Sequence, residues 1–170
     1  LDAFLADWGL EIGKGYLCQT DANYAYQAGS EQQILSLEDT DYAEDVDVSS
    51  KSTLGDMMRP VNLLFDEKSN YATTSIVKTY DGNVIRPYNA GDAWKTSDAK
   101  EVGAYTVVAE SSKVMSDGTN LSYSRVFAIG GPAFISDTFL QAAQTNNDEI
   151  FMSILNKATG KDETEITITT

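Results

Sequence analysis

An apolar run, a turn and a stretch of apolar residues at helical spacing follow one another in the segment Ser124–Gly160, SRVFAIGGPAFISDTFLQAAQTNNDEIFMSILNKATG. The apolar run, Arg125–Ile129, is short and rich in β-branched and aromatic residues, which is typical of a strand buried on both faces of a parallel sheet. Gly130-Gly131-Pro132 ends the run and predicts a tight turn from strand to helix. The segment therefore predicts a strand in the middle of an α/β sheet.

The second half of the same segment predicts an amphipathic helix. Asn146–Glu149 offers side chains that cap a helix and negative charge that suits its N-terminus. Gly160 occupies the position at which a glycine often ends a helix. The apolar residues between these signals recur at helical spacing, and they are Ile150, Phe151, Ile154, Leu155 and Ala158.

Two stretches of the chain resemble the extracytoplasmic domain of the gliding-motility auxiliary (GldG-like) component of ABC-2-type transport systems. One family pattern is "RVVVIGDSDF", followed by "S-N-x-x-L" and by "G-N-R-D-L-F-L-N-x-x-N-W-L-x-G". The matching residues here are Ser124–Gly131, then Phe134–Asp137 with Leu140, then Asn146–Phe151 with Asn156 and Gly160. The other stretch, LDAFLADWGL at Leu1–Leu10, is similar to the family's "N-L-x-x-F-L-x-x-W-G-I".

The resemblance implies a fold, a location and partners. The fold would be α/β, a layered sheet with flanking helices that corresponds to part of a class I glutamine amidotransferase-like (flavodoxin-like) fold. Residues 1–170 would form a single domain, a soluble piece of a longer protein that segments outside this sequence anchor to the cell membrane. The domain would lie outside the cytoplasm and act as a non-catalytic binding or interaction domain. An ABC-2-type permease and its ATPase would be partners of the parent chain.

Composition excludes several other classes of function. The chain has 12 basic and 26 acidic residues, a net charge of −14 and no histidine. Such a surface repels nucleic acid and anionic lipid, so we expect neither as a partner. Without histidine there is no Ser-His-Asp triad and no Cys-His pair. The sequence therefore predicts a protein that is not an enzyme and that holds no cofactor.

The single cysteine, Cys18, lies in the strand-like stretch Tyr16–Gln19. A lone cysteine in apolar surroundings is more often a small buried hydrophobic residue than a reactive thiol. It also excludes a disulfide within the chain.

A small ligand, if the domain binds one, would be expected after the apolar run. In open α/β sheets, ligands bind in a crevice outside the carboxyl ends of the strands. Gly130, Gly131, Ser136 and Asp137 would line this crevice. The two glycines do not form a phosphate loop, because no Gly-Lys-Ser or Gly-Lys-Thr follows them.

The segment Glu38–Thr53, EDTDYAEDVDVSSKST, is acidic and rich in hydroxyl groups, which predicts a surface loop with little to bury. Asp39, Asp41, Asp45 and Asp47 could together coordinate calcium, but their spacing does not fit an EF-hand loop. A stand-alone carbohydrate- or calcium-binding surface module is the alternative function. A carboxylate-dependent hydrolase is a third possibility, since the chain is rich in acids.

The remaining elements are predicted from periodicity and turn signals. A helix over Leu1–Trp8 should end at Gly9, and Asp81-Gly82-Asn83 and Ser116–Asn120 should form turns, the first of them in a hairpin. We expect strands at Tyr16–Gln19, Val61–Phe65, Ala72–Tyr80, Val84–Arg86 and Ala104–Ala109, and helical segments at Glu31–Leu37 and Leu54–Met58.

Overall fold

Antiparallel strands dominate the computed structural model, which describes residues 1–160. Three α-helices and three short 3-10 turns complete the described part of the chain. The helices are α1 (Asp2–Asp7), α2 (Asp137–Leu140) and α3 (Asn147–Thr159), and the 3-10 turns are Asp41–Ala43, Thr96–Asp98 and Pro132–Ile135. The strands are β1 (Leu10–Ile12), β2 (Tyr16–Gln19), β3 (Gln33–Leu37), β4 (Thr53–Gly55), β5 (Val61–Leu63), β6 (Glu67–Lys68), β7 (Tyr71–Thr79), β8 (Asn83–Arg86), β9 (Thr106–Ser116) and β10 (Leu121–Ile129).

Six of these strands form one antiparallel sheet. Its spatial order is β10-β9-β7-β3-β4, and β6 pairs with the start of β7. The long hairpin β9–β10 begins with Leu121 opposite Ser116 and continues to Ile129 opposite Val108. Two smaller antiparallel pairs, β1–β5 and β2–β8, lie outside this sheet.

The predicted α/β fold with its layered, flavodoxin-like sheet is therefore wrong. Every named strand pair is antiparallel, and only α3 is a long helix. The strand containing Arg125–Ile129 is the edge strand β10, and most of its residues are only half-buried. Its apolar run arises because both faces of the sheet are covered. Phe127 packs on one core, and Val126 and Ala128 pack on another.

Several local predictions are confirmed and others are wrong. Helix α3 ends at Gly160, whose φ of +65° is left-handed, as the helix-ending signal indicated. Helix α1 also forms, although it buries Leu5 and leaves Phe4 half-exposed. Of the segments predicted as helical, Glu31–Leu37 instead contains β3, and Leu54–Met58 begins within β4. In both, cross-strand pairing outweighs a weak local preference for helix.

The turn at Asp81-Gly82-Asn83 does not close a hairpin. Gly82 has the left-handed φ of +90° that a tight turn requires, but the strand that follows, β8, pairs with β2 and not with β7. The turn at Ser116–Asn120 does close one, between β9 and β10. Turn chemistry thus located both reversals of direction, but the one hairpin that it predicted, at Asp81-Gly82-Asn83, does not form.

The buried apolar residues form two hydrophobic cores, which we call the larger core and the smaller core. Because successive residues of a strand point to opposite faces, Phe127 packs on the larger core while its neighbour Ala128 belongs to the smaller one. The larger core contains Leu17, Leu35, Tyr42, Val46, Met58, Ile76, Val77, Val107, Val108, Phe134, Ile150 and Ile154. The smaller core contains Leu5, Leu10, Val61, Ala109 and Ala128.

Asn147 connects α3 to the edge strand β4. Its side chain is fully buried and accepts a hydrogen bond from the Leu54 N–H at 3.0 Å. Its amide nitrogen donates to the carbonyl oxygens of Leu54 at 2.9 Å and Phe134 at 3.0 Å. The amide group therefore pairs with β4 as a further strand would, which covers an edge that could otherwise pair with another chain.

The acidic segment Glu38–Thr53 is held against the molecule, contrary to the expectation that it has little to bury. Tyr42 and Val46 belong to the larger core. The Asp47 N–H donates to a carboxylate oxygen of Glu149 at 2.7 Å, and Asn146 donates to the Asp47 carbonyl oxygen at 3.1 Å. We call this segment the acidic loop.

Within residues 1–160, no helix is long and apolar enough to cross a membrane.

Candidate functional site: a polar pocket on the sheet

Gly130 and Gly131, two of the residues predicted to line a crevice, are buried in the turn after β10 and serve close packing. The Gly130 N–H donates to the Val107 carbonyl oxygen at 2.8 Å. A Cβ atom on Gly130 would lie 2.1 Å from the Arg59 carbonyl oxygen, and one on Gly131 would lie 3.0 Å from the sulfur of Met58. Each glycine thus allows a neighbouring segment to approach the turn.

Ser136 and Asp137, the other two predicted residues, lie at the start of α2. The Ser136 hydroxyl donates to the Ala133 carbonyl oxygen at 2.8 Å, and Asp137 is exposed in the first turn of the helix. The crevice was inferred from an open α/β sheet, which this fold does not provide. A ligand at these four residues stays a prediction, and they do not line the pocket described next.

A different pocket, of about 490 Å³, opens between the sheet, the acidic loop and α3. We call it the Tyr42 pocket. Its lining includes Thr40, Asp41, Tyr42, Glu110, Tyr123 and Arg125. These residues come from three separate parts of the sequence, and the fold alone brings them together.

Strand register explains the floor of the Tyr42 pocket. Glu110 of β9 lies opposite Thr74 of β7 on one side and opposite Phe127 of β10 on the other. Arg125 lies two residues before Phe127, so it is on the same face and diagonal to Glu110. Tyr123 lies two residues before Arg125, on the same face of β10.

An ion pair occupies the centre of this floor. Arg125 Nη1 donates to Glu110 Oε1, and the two side chains are only 15% and 7% exposed. Burial of charge is tolerated when the charges are paired in this way. The guanidinium carbon of Arg125 also lies 5.0 Å from the centre of the Tyr123 ring, within range of a cation–π interaction. Two charges and an aromatic ring are thus held in fixed positions beside an open cavity.

The acidic loop forms the wall of the pocket through Thr40 and Tyr42. Tyr42 is 3% exposed, and its ring meets Phe127 edge to face with centres 6.0 Å apart. Among the described residues, no group lies in good hydrogen-bonding geometry with the Tyr42 or the Thr40 hydroxyl, although the Glu110 carboxylate is close enough to interact with that of Tyr42. Burial, and then the nearby Glu110 carboxylate, raise the pKa of the Tyr42 hydroxyl, so it stays protonated and remains a donor. An unpaired buried donor costs about 1–3 kcal/mol, which a water or a ligand would offset.

Beside the Tyr42 pocket lies an open acidic groove of about 600 Å³ between the acidic loop and α3. The two cavities share Asp41 and Lys157, whose charged groups are 3.5 Å apart. Asp47, another candidate calcium ligand, instead accepts hydrogen bonds from the backbone N–H groups of Ser49 and Ser50 at 3.0 and 3.1 Å. In residues 1–160, no three His, Cys, Asp or Glu side chains are grouped so that they could hold a metal ion.

A third cavity, of about 300 Å³, lies beside Trp94 and Tyr105. Its lining is more apolar than that of the Tyr42 pocket and includes Ile85 and Pro87. None of the buried polar atoms that lack a partner in the described structure lies in this lining. The Tyr42 pocket is therefore the stronger candidate for a specific polar ligand.

Cys18 is buried in β2, as its sequence context predicted. Burial, and next the carboxylate of Glu31, raise the pKa of its thiol to about 11. A thiol with so high a pKa has almost no thiolate at neutral pH and makes a poor nucleophile.

No protein-family model, curated protein or solved structure matches this chain.

Proposed function

We propose that the chain is a non-catalytic, extracytoplasmic binding domain of an auxiliary component of an ABC-2-type transport system, anchored to the membrane by segments outside this sequence. The Tyr42 pocket would be its ligand site. The observation that carries the binding proposal is the pair of buried hydroxyls at Thr40 and Tyr42, which lack a well-formed hydrogen bond and lie beside fixed charges at an open cavity. Folded proteins rarely leave such groups without a partner, so the site is suited to a bound molecule.

The transport assignment rests on the resemblance of two stretches of sequence. It is supported by the positions of the residues that match. The asparagine of the family's "G-N-R-D-L-F" corresponds to Asn147, whose side chain holds β4, and the leucine corresponds to the fully buried Ile150. In the first stretch, Leu10 is fully buried in the smaller core. The matching residues thus include ones on which folding of this chain depends.

Co-purification of the full-length protein from its native membranes in mild detergent, with mass spectrometry, tests the transport assignment. Recovery of an ABC-2-type permease and its ATPase in a stable ratio is the expected result. Recovery of the protein without either subunit, even after cross-linking, would contradict the assignment and favour a stand-alone carbohydrate- or calcium-binding module. Melting the domain with and without calcium then separates those two, because a ligand of the folded state raises the melting temperature.

A carboxylate-dependent hydrolase is the second candidate, because Asp41 and Glu110 line the same pocket. Glycosidases use two such groups, one of which must carry a proton to act as the general acid. Here each carboxylate is paired with a cation, Asp41 with Lys157 and Glu110 with Arg125. This arrangement favours binding over catalysis. A screen of aryl glycosides should show no turnover, and turnover lost in Glu110→Gln would reverse this conclusion.

A further inference from the structure

The chemistry of the Tyr42 pocket restricts the class of ligand. Every side chain that lines it carries a polar atom, and none is aliphatic. An apolar ligand would leave these polar groups without partners, which is unfavourable. The ligand must therefore offer many hydrogen-bonding groups of its own.

The charges that line the pocket disfavour ionic ligands. Two carboxylates, Asp41 and Glu110, are balanced by two cations, Arg125 and Lys157, so the lining has no net charge. Because each carboxylate already pairs with a cation, an ionic or zwitterionic ligand would have to compete with these pairs. The strongly acidic surface of the whole chain also repels anionic ligands. A neutral ligand with many hydroxyl groups avoids both penalties, since a hydroxyl donates to a carboxylate oxygen and accepts from an N–H or O–H.

Tyr123 adds a second requirement. The Arg125 guanidinium carbon lies 5.0 Å from the centre of its ring, and the residue, which lines the pocket, is 47% exposed overall. An aromatic ring fixed in this way offers an apolar surface beside polar groups. Sugar rings have matching chemistry, because they present a face of C–H groups between their hydroxyls.

We propose that the Tyr42 pocket binds a neutral sugar, with its ring on Tyr123 and its hydroxyls hydrogen-bonded to Tyr42, Thr40 and the Arg125–Glu110 pair. This rests on the proposed binding function but not on attachment to a transporter. Tyr42 would contribute a buried donor of fixed direction, Thr40 would contribute a hydroxyl that either donates or accepts, and Glu110 would contribute acceptor oxygens.

Isothermal titration of the folded chain with N-acetylglucosamine, galactose, maltose and cellobiose tests the proposal. At least one sugar should bind saturably with a Kd of about 1 mM or lower. Tyr123→Ala should weaken binding about tenfold or more while the melting temperature changes little, because this side chain is half-exposed. Tyr42→Phe keeps the ring and removes the hydroxyl, and should weaken binding about tenfold, or about 1.4 kcal/mol. Tyr26→Ala, an exposed tyrosine outside the pocket, is the matched control and should have no effect.

Parallel titrations with glutamate, glycine and glucose 6-phosphate separate the failure of this inference from the failure of the proposed function. Suppose that one of these probes binds saturably, that its binding is lost in Tyr42→Phe, and that no neutral sugar binds. This result would overturn the proposal of a sugar ligand and retain the proposed binding function. If no probe binds saturably, the proposal of a sugar ligand is overturned, and only co-purification then tests the transport assignment. Sugar binding that survives both Tyr42→Phe and Tyr123→Ala would place the site elsewhere and also overturn the proposal.

Discussion

Asn147 is the residue on which the attachment of α3 depends most directly. Its amide pairs with both backbone groups of Leu54 and with the Phe134 carbonyl, all in a fully buried position. Asn147→Ala should lower the free energy of unfolding by about 3 kcal/mol or more, because it leaves buried backbone groups without partners. Asn156→Ala, on the same helix but partly exposed, is the matched control and should change stability by less than about 0.5 kcal/mol. Urea denaturation measures both, and equal effects would contradict this role.

Gly130 is required for close contact between two backbones. A methyl group there would lie 2.1 Å from the Arg59 carbonyl oxygen, which cannot move away as a flexible side chain could. Gly130→Ala should therefore cost about 2–3 kcal/mol of unfolding free energy. A Cβ on Gly103 would meet no atom within 4 Å of it, so Gly103→Ala is the control that should be close to neutral. A neutral Gly130→Ala in the same thermal denaturation series would show that the two segments separate easily.

The pocket residues show what sequence reasoning could have predicted at this scale. The sequence predicts the turn at Ser116–Asn120, and a tight hairpin there places Arg125 opposite Ser112 and therefore diagonal to Glu110. The Arg125–Glu110 pair was thus available from local signals once β10 was taken as a hairpin strand. Interpreting the apolar run as a parallel strand hid it. Tyr42 could not be predicted in this way, because its contact with Phe127 joins positions far apart in the sequence.

At the scale of elements, the acidic loop is held to α3 by groups that titrate. Hydrogen bonding from Lys51, and also from the Asp47 backbone, lowers the pKa of Glu149, and the Ser50 side chain lowers that of Asp47. Carboxyl groups with a depressed pKa in the folded state contribute stability above their unfolded pKa, which is about 4.5 for glutamate. That stability is lost as the pH falls through the folded values. The melting temperature should therefore decrease on acidification from about pH 5 to about pH 3.

Lys51→Met tests the origin of this pH dependence. Without the lysine, Glu149 should titrate nearer its ordinary pKa, so the melting temperature should depend less on pH below about pH 5. Lys14→Met is the matched control, because Lys14 is exposed and makes no ion pair with the described residues. If the two variants have the same pH profile as the parent chain, other carboxyl groups account for the acid sensitivity.

Element types were predictable where a signal was local, and pairing was not. Apolar spacing and Gly160 predicted α3 correctly, since both signals lie within one helix, although the expected capping side chain of Asn146 makes no capping hydrogen bond. β2 and β7 were also located from composition alone. The sheet was wrong because β3 and β4, taken as helical, supply part of it, and because β8 pairs with β2 across a long segment of chain. Without those strands, the remaining pattern favours alternating strands and helices.

At the scale of the whole molecule, the two cores share the strands of one sheet, so we expect them to unfold together. Phe127 and Ala128 are adjacent in β10 and pack on different cores, so neither core can lose its part of β10 without disturbing the other. Leu10→Ala in the smaller core and Ile150→Ala in the larger core should each cost about 2–5 kcal/mol and shift a single transition. Leu64→Ala, at a half-exposed leucine, is the control for leucine truncation and should shift it much less.

Two probes decide whether the transition is single. In a Trp94→Phe background, the fluorescence of Trp8 reports on the α1 side of the sheet, where its ring lies 5.3 Å from that of Tyr71. Far-UV circular dichroism reports on the strands and helices as a whole. Coincident midpoints by both probes, in the parent chain and in both core variants, are expected for one cooperative unit. If Leu10→Ala lowered the fluorescence midpoint alone, α1 and the smaller core would unfold as a separate unit. The shared strands would then transmit no stability between the two cores, and a ligand in the Tyr42 pocket would stabilise only the larger core.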